Sequence, residues 1–342
     1  MTDMIDRFEI TVYFWDHLIF NNRKSWRNIM RIPNRFLMVL SLAMIFLFFS
    51  SCQKQKPKEK TTSQSIKVKD FLGREVVLSK KPLRIVSLAP NVTELIYALG
   101  AEENLIGVSR FCNYPPQAKE KPQLAGFSDS EVNLEAIVSV QPDLVIATPT
   151  RITPLVGKFE NLDIPFYAFS PENILDLLGG IKQLGVLLRH ESQADSLINR
   201  LKREISEMQQ ARSHFSARSV FLEISATPLT TATNLSFVGQ ILMIAGGLNI
   251  SGDLKGEYPQ VNPEFILEND PETIIIAHPE TTIEEIKARP GWSQLQAVKN
   301  GRICVDLNQD VIFRAGPRLS QGITEFYRCL YPNFYTPSDS TQ

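Results

Sequence analysis

Histidine and cysteine are scarce in this 342-residue chain, with four of each. The histidines stand at 17, 190, 214 and 278, too scattered for a transition-metal site, which wants clustered His, Cys, Asp or Glu. No cysteine has a second Cys or His at ligand spacing. The patterns G-x-S-x-G, H-E-x-x-H, G-x-G-x-x-G and the P-loop are absent, which removes the commonest hydrolase, metalloprotease and nucleotide signatures. A secreted two-lobe hydrolase would need a nucleophile, a base and an orienting group in one place. Such a set does not emerge here, and the chain reads as a non-enzyme. Net charge is −1, with 36 Lys and Arg against 37 Asp and Glu, so the basic excess of a nucleic-acid binder is missing too. His278, at the end of a predicted strand, is the best placed of the four for a functional role, yet it reads first as structural.

The N-terminus reads as an export signal, or alternatively as a short membrane anchor. Arg31 and Arg35 precede an apolar run from Phe36 to Phe49, too short to span a bilayer comfortably, and small residues then lead to Cys52. Residues 1–29 fit no export pattern, and translation is expected to start at Met30 or Met38. Phe49-Ser50-Ser51-Cys52 resembles the lipobox of bacterial lipoproteins, with Phe49 where that pattern prefers Leu. The resemblance implies cleavage and acylation at Cys52, giving a tether to a bacterial membrane on the periplasmic or cell-surface side. The segment after Cys52 is polar and Lys-rich, the composition of a disordered spacer. Residues 1–51 are thus extension plus signal peptide, and 52–65 the spacer. Cys112, Cys304 and Cys329 remain; outside the cytoplasm two of them are free to form a disulfide, and sequence alone leaves the pair open.

From Ile66 to Leu78 the alternation around Gly73 predicts a β-hairpin. "RIVSLAP" reads as a short strand, and "NVTELIYALG" as a helix capped by Asn91 or Thr93, buried along Leu95, Ile96 and Leu99, and ended by Gly100. Strands and helices then alternate, which predicts a mostly parallel sheet flanked by helices. The second half repeats the scheme, so the fold class is α/β with two similar lobes, 66–185 and 217–335, and a tail at 336–342. Between them, 186–216 has a helical stripe of Leu197, Leu201, Ile205 and Met208. That stretch predicts one long rigid bridging helix.

One short sentence occurs in both halves. "NLEAIVSVQPDLVIAT" begins at Asn133 and "NPEFILENDPETIIIAH" at Asn262. Each reads as a surface helix, a Pro-acid turn and a buried strand, which puts Glu135 and Glu264 at matching places in a first helical turn. A carboxylate there is favoured by the helix dipole alone, by about 0.3–1 kcal/mol, so position by itself demands no further role.

Taken together, "RIVSLAPNVTELIYALGAEENLIGVSRFCNYPPQA", "NLEAIVSVQPDLVIAT", "GGLNISGDLKGEYPQVNPEFILENDPETIII" and "FRAGPRL" resemble the substrate-binding proteins of vitamin B12 and iron-siderophore ABC importers, over about Ile66 to Pro332. The resemblance implies a monomeric class III periplasmic-binding-protein-like receptor with a ligand cleft between its lobes. It implies an ABC permease dimer with ATPase subunits as partner, and docking of that permease's arginines by Glu135 and Glu264, one from each lobe. Phe111, Phe127, Tyr258, Asp310 and Arg314 match or lie near cleft positions; Tyr258 stands where the B12-binding members have Trp. The implied ligand is a cobalamin-like corrinoid, or alternatively an iron siderophore or haem, with any metal arriving inside its chelate. For Phe111 and Phe127 the competing reading is lobe core, and for Asp310 and Arg314, four apart, a mutual ion pair. Lobes joined by a stiff helix should close by only a modest angle on a largely preformed cleft.

Overall fold

A computed structural model of the chain describes residues 65–126, 132–148, 153–279 and 281–332, with backbone alone at 153–155. The signal segment, Cys52, Phe127, the spacer up to residue 64 and the tail at 336–342 lie outside these residues. Among the described residues no helix is long and apolar enough to cross a membrane.

The predicted hairpin forms β1 (Ile66–Lys69) and β2 (Glu75–Leu78), antiparallel, with Ile66 opposite Leu78. Its alternation buries Ile66, Val68, Val76 and Leu78. Asp70 Oδ1 accepts from the backbone N–H of Leu72 at 3.0 Å and of Arg74 at 2.9 Å. Gly73 takes the turn's left-handed conformation at φ +79°, where a Cβ would be strained.

The rest of the first lobe runs β3 (Ile85–Ser87), α1 (Pro90–Ala98), β4 (Leu105–Ser109), β5 (Gln123–Ala125), α2 (Leu134–Ser139), β6 (Leu144–Ala147), α3 (Thr153–Asn161) and β7 (Phe166–Ala168). The strands form one parallel sheet in the order β5-β4-β3-β6-β7. Every residue of β3, β6 and β7 is buried, as a parallel sheet covered on both faces requires. Helix α1 departs from expectation at its start. Its N-cap is Ala89, whose side chain gives no cap bond, and Pro90 with its preset φ opens the helix instead. Thr93 turns inward, donating to Ser87 Oγ at 2.8 Å, and Asn91 reaches across to Ala315 O at 3.2 Å.

Helix α4 (Ile174–Leu188) and helix α5 (Glu191–Arg212) follow, joined by Arg189 and His190. The bridging helix is α5. It starts at Glu191, after Arg189 at φ +59° stops α4. At 22 residues it is about 33 Å long. Of the expected stripe Leu197 and Leu201 are buried, while Ile205 and Met208 are half-buried against the core. The two helices pack closely because residue 185 is Gly: a Cβ there would lie 2.5 Å from that of Ala194.

The second lobe comprises β8 (Arg218–Ala226), β9 (Leu229–Thr231), α6 (Phe237–Ala245), β10 (Gly247–Asn249), α7 (Pro263–Asn269), β11 (Thr273–Ile276), α8 (Ile283–Ala288), α9 (Gln296–Lys299), β12 (Ile303–Cys304), α10 (Gln309–Ile312) and α11 (Leu319–Leu330). Its parallel strands run β10-β8-β11-β12, and β9 pairs antiparallel with β8. A single buried apolar cluster continues from Ile66 of the hairpin through Leu184 and Leu201 of the paired helices to Tyr331. Each lobe adds a smaller core beneath its sheet, around Phe159 in one and Trp292 in the other.

Cys304 and Cys329 form a disulfide between β12 and α11, which settles the pairing, and Cys112 is free and buried. Burial pushes the Cys112 thiol up, against hydrogen bonds from Ser109 and Thr93 that pull it down. The bridge spans 25 residues of sequence. Replacing both partners by Ser (C304S/C329S) should cost about 3 kcal/mol of unfolding free energy, measured by urea denaturation with the m-value of each form fitted separately.

Candidate functional site

Both sheets reverse direction of growth at one point. In the first lobe that point lies between β3 and β6, from which β4-β5 and β7 extend in opposite senses. Open α/β sheets hold ligands outside the carboxyl ends of strands at such a switch point. Here the residues following β3 (Leu88 to Asn91), β4 (Phe111), β6 (Thr148) and β7 (Phe169 to Glu172) all line a cleft of about 900 Å³. Its far wall belongs to the second lobe: Phe237, Glu257, Tyr258 and the segment Gln309 to Ala315 apart from Val311 and Ile312. The second lobe's own switch point, between β8 and β11, is occupied by side chains. Glu223, fully buried in β8 opposite Ile276 at the end of β11, accepts from Arg289 Nη2 at 2.7 Å and lies 3.0 Å from His278 Nε2. His278 is therefore tied to a structural ion cluster, as its first reading held, and does not line the cleft.

Four of the five cleft residues expected from sequence meet in this space. Phe111 is half-buried on the first lobe's wall, with Arg110 stacked 5.0 Å from its ring centre. Tyr258 faces the cleft from the opposite lobe and is 44% exposed. Asp310 and Arg314 both line the cleft and are also paired to each other at 2.6 Å. The fifth, Phe127, lies outside the described residues, next to the lining residue Gly126.

Several lining groups were not foreseen. Phe169 and Phe313 add rings to the two walls. Glu172 and Glu257 add carboxylates, one from each side of the bridge. Partial burial raises the pKa of Glu257, and the charge of Glu172 raises it further. Among the described lining residues, three carboxylates (Glu172, Glu257 and Asp310) face one guanidinium, Arg314. Arg314 is itself engaged on both sides: its Nη1 donates to Glu94 Oε1 at 3.0 Å and to Asn113 Oδ1 at 2.7 Å, and its Nη2 pairs with Asp310 at 2.6 Å. Among the described lining residues, acidic groups therefore outnumber basic ones.

The two copies of the repeated sentence occupy equivalent places. Asn133 caps α2 by accepting from Ala136 N at 2.9 Å, and Asn262 caps α7 by accepting from Phe265 N at 2.9 Å. Each helix buries one Ile, 137 or 266, into its lobe's smaller core and leads into the strand beside the switch point. Glu135 and Glu264 sit in the first turns and are exposed.

The family model described as periplasmic binding protein matches residues 85–309. This chain belongs to the periplasmic binding protein family. It is 33% identical over 247 residues to the vitamin B12-binding protein of Pectobacterium atrosepticum, covering 70% of this chain and 85% of that one. It is 28% identical to an uncharacterized ABC transporter substrate-binding lipoprotein of Bacillus subtilis, over 82% of this chain and 90% of the relative. Among solved structures, the periplasmic vitamin B12-binding protein of Vibrio cholerae matches with a TM-score of 0.62 at 25% identity, over 75% of this chain and 99% of that one. A possible iron-binding periplasmic solute-binding protein of Staphylococcus epidermidis matches with a TM-score of 0.68 at 28% identity, over 74% of this chain and all of the other. The chain is accordingly a substrate-binding receptor of an ABC importer and not an enzyme.

Glu257 gives a pH test. Raising a carboxyl's pKa means that its ionised form costs the fold stability above the raised value, and that the cost disappears below the ordinary value of 4.5. Glu257→Gln should therefore melt a few degrees higher than wild type at pH 7.5, with the difference closing by about pH 4; calorimetry across that range decides.

Proposed function

We propose that this receptor is an extracytoplasmic, lipid-tethered protein that captures a cobalamin-like corrinoid in the inter-lobe cleft and hands it to an ABC permease. The observation that carries this reading is the cleft itself. A space of about 900 Å³ lies near the upper end for small-molecule sites, and rings from both lobes line it. Phe111 and Phe169 on one side, with Phe313 and Tyr258 on the other, offer flat apolar area to a broad macrocycle at little entropic cost. Among the described lining residues, Glu172 and Glu257 are carboxylates outside the balanced ion cluster; they suit a ligand rich in amide N–H donors, as a corrinoid is, and oppose polyanionic ferric chelates and the propionates of haem. The likeness to vitamin B12-binding proteins points the same way. A second reading, an iron chelate, is favoured by the likeness to the Staphylococcus epidermidis protein. Titration calorimetry of the full-length chain in detergent with cyanocobalamin, haemin and ferric enterobactin separates them. Cyanocobalamin alone should bind, and Phe111→Ala or Tyr258→Ala should weaken it at least tenfold; binding of only an anionic chelate would reject the corrinoid.

Glu135 and Glu264 are assigned to permease docking. A two-lobed protein seated on a two-fold partner needs like contacts on both lobes, and Arg–carboxylate pairs are orienting as well as attractive. Charge reversal at both (E135R/E264R) should abolish uptake of radiolabelled cobalamin by cells and leave cyanocobalamin affinity within about twofold, because neither residue lines the cleft. Cys52 is assigned to acylation, which Cys52→Ala should abolish, releasing the receptor from the membrane fraction.

A further inference from the structure

Helix α1 presents a charged residue where a lobe considered alone would have no reason to bury one. Val92, Leu95, Ile96 and Leu99 face the core of the first lobe. Asn91 and Glu94, three apart, share the opposite face. Yet Glu94 is only 2% exposed, because the second lobe covers it. Its Oε1 accepts from Arg314 Nη1 at 3.0 Å and Arg318 Nη2 at 2.6 Å, and its Oε2 accepts from Arg318 Nε at 2.8 Å. Those partners lie 220 and 224 residues further along the chain.

The contact continues on both sides of the carboxylate. The Arg318 guanidinium lies 4.1 Å from the centre of the Tyr114 ring. Asn113 donates to Asp310 Oδ2 at 2.7 Å and accepts from Arg314 at 2.7 Å. Asn91 donates to Ala315 O. Every group named on the first lobe comes from 91–114, and every one on the second from 310–318. The cluster is electrically balanced, Glu94 and Asp310 against Arg314 and Arg318, so burial leaves no net charge to solvate.

We propose that Glu94 is the positioning residue of ligand capture: a buried clasp that locks the two lobes at the angle at which the cleft is formed, and holds Arg314 where it lines that cleft. Arg314 is the shared element. One edge of its guanidinium is tied back to Glu94 and the other to Asp310, so the side chain that faces a ligand is fixed by the same bond that joins the lobes. A bidentate pairing at Arg318 resists rotation as well as separation. Without it the lobes remain attached through the paired helices, which permit more than one angle, and capture must then select the competent angle from a mixture. Apparent affinity falls by the fraction competent, tenfold if one molecule in ten is.

The inference takes the cleft as the ligand site but does not depend on which ligand enters, and its first readout needs none. Residues 119 and 299, exposed lysines on opposite lobes, are replaced by a ketone-bearing residue and spin-labelled, which spares the native thiols. In the ligand-free full-length chain the wild type should give one narrow distance distribution, and Glu94→Gln a broadened or second population. Arg318→Lys keeps the charge, loses the planar fork and leaves Glu94 paired with Arg314; it should broaden the distribution likewise and guards against an E94Q chain that fails to fold. Cyanocobalamin should bind E94Q about tenfold more weakly and restore the narrow distribution. Narrow wild-type-like distributions in both variants, even with a lowered melting temperature, would overturn the clasp. Broadening in a protein whose wild type ignores cyanocobalamin would uphold it and reject only the corrinoid.

Discussion

The relation between the two lobes is the constraint on which the rest of this molecule depends. A ligand cleft whose walls come from different lobes has no fixed shape unless the lobes have a fixed angle. Two attachments set that angle here. One is apolar: helices α4 and α5 share a continuous buried cluster with α6 and α11, so the bridge is a packed pair and not a lone rod. The other is polar, on the side where Asn91 and Glu94 of α1 meet residues 310–318. The hydrophobic attraction behind apolar packing has no preferred direction of its own, and shape complementarity alone fixes its geometry. Hydrogen bonds from a guanidinium fork are directional in themselves. The combination joins the lobes on two sides of the cleft.

The internal repeat belongs to the same logic seen from outside. Each lobe places a short Asn-capped helix ahead of the strand flanking its switch point, so the exposed Glu of each first turn holds the same position in its own lobe. A rigid inter-lobe angle turns two such local positions into one fixed pair. Docking onto a symmetric membrane partner, as proposed, needs that fixed spacing as much as it needs the charges.

Much of this was legible in the residues. The hairpin, the alternation of strand and helix, the repeated sentence and the amphipathic bridge all follow from periodicity, because each buries a face against its own lobe. What escaped sequence reasoning shares a physical cause. Glu94 lies opposite the apolar stripe of α1 and reads as a solvent-facing residue; only the second lobe, some 220 residues away in sequence, buries it. Asn91 was expected to cap its own helix and instead spans the gap. The disulfide partner of Cys304 depended on where α11 packs, which spacing does not encode. Local patterns report on local burial, and inter-lobe contacts leave no periodic trace.

The cleft shows how an interaction that resembles ligand-binding machinery changes meaning in context. Taken from sequence, Arg314 is a cation available to an anionic ligand. In place it is encircled by acceptors from Glu94, Asn113 and Asp310, and its charge is spent on joining the lobes. Among the described lining residues, the charges outside that cluster are the carboxylates of Glu172 and Glu257. One of them, Glu257, is disfavoured in its ionised form by burial and by the charge of Glu172. Selectivity among bulky metal chelates would then follow from what the clasp consumes: by engaging its arginines internally, the receptor leaves a cleft that welcomes hydrogen-bond donors and aromatic-sized apolar surface and resists polyanions.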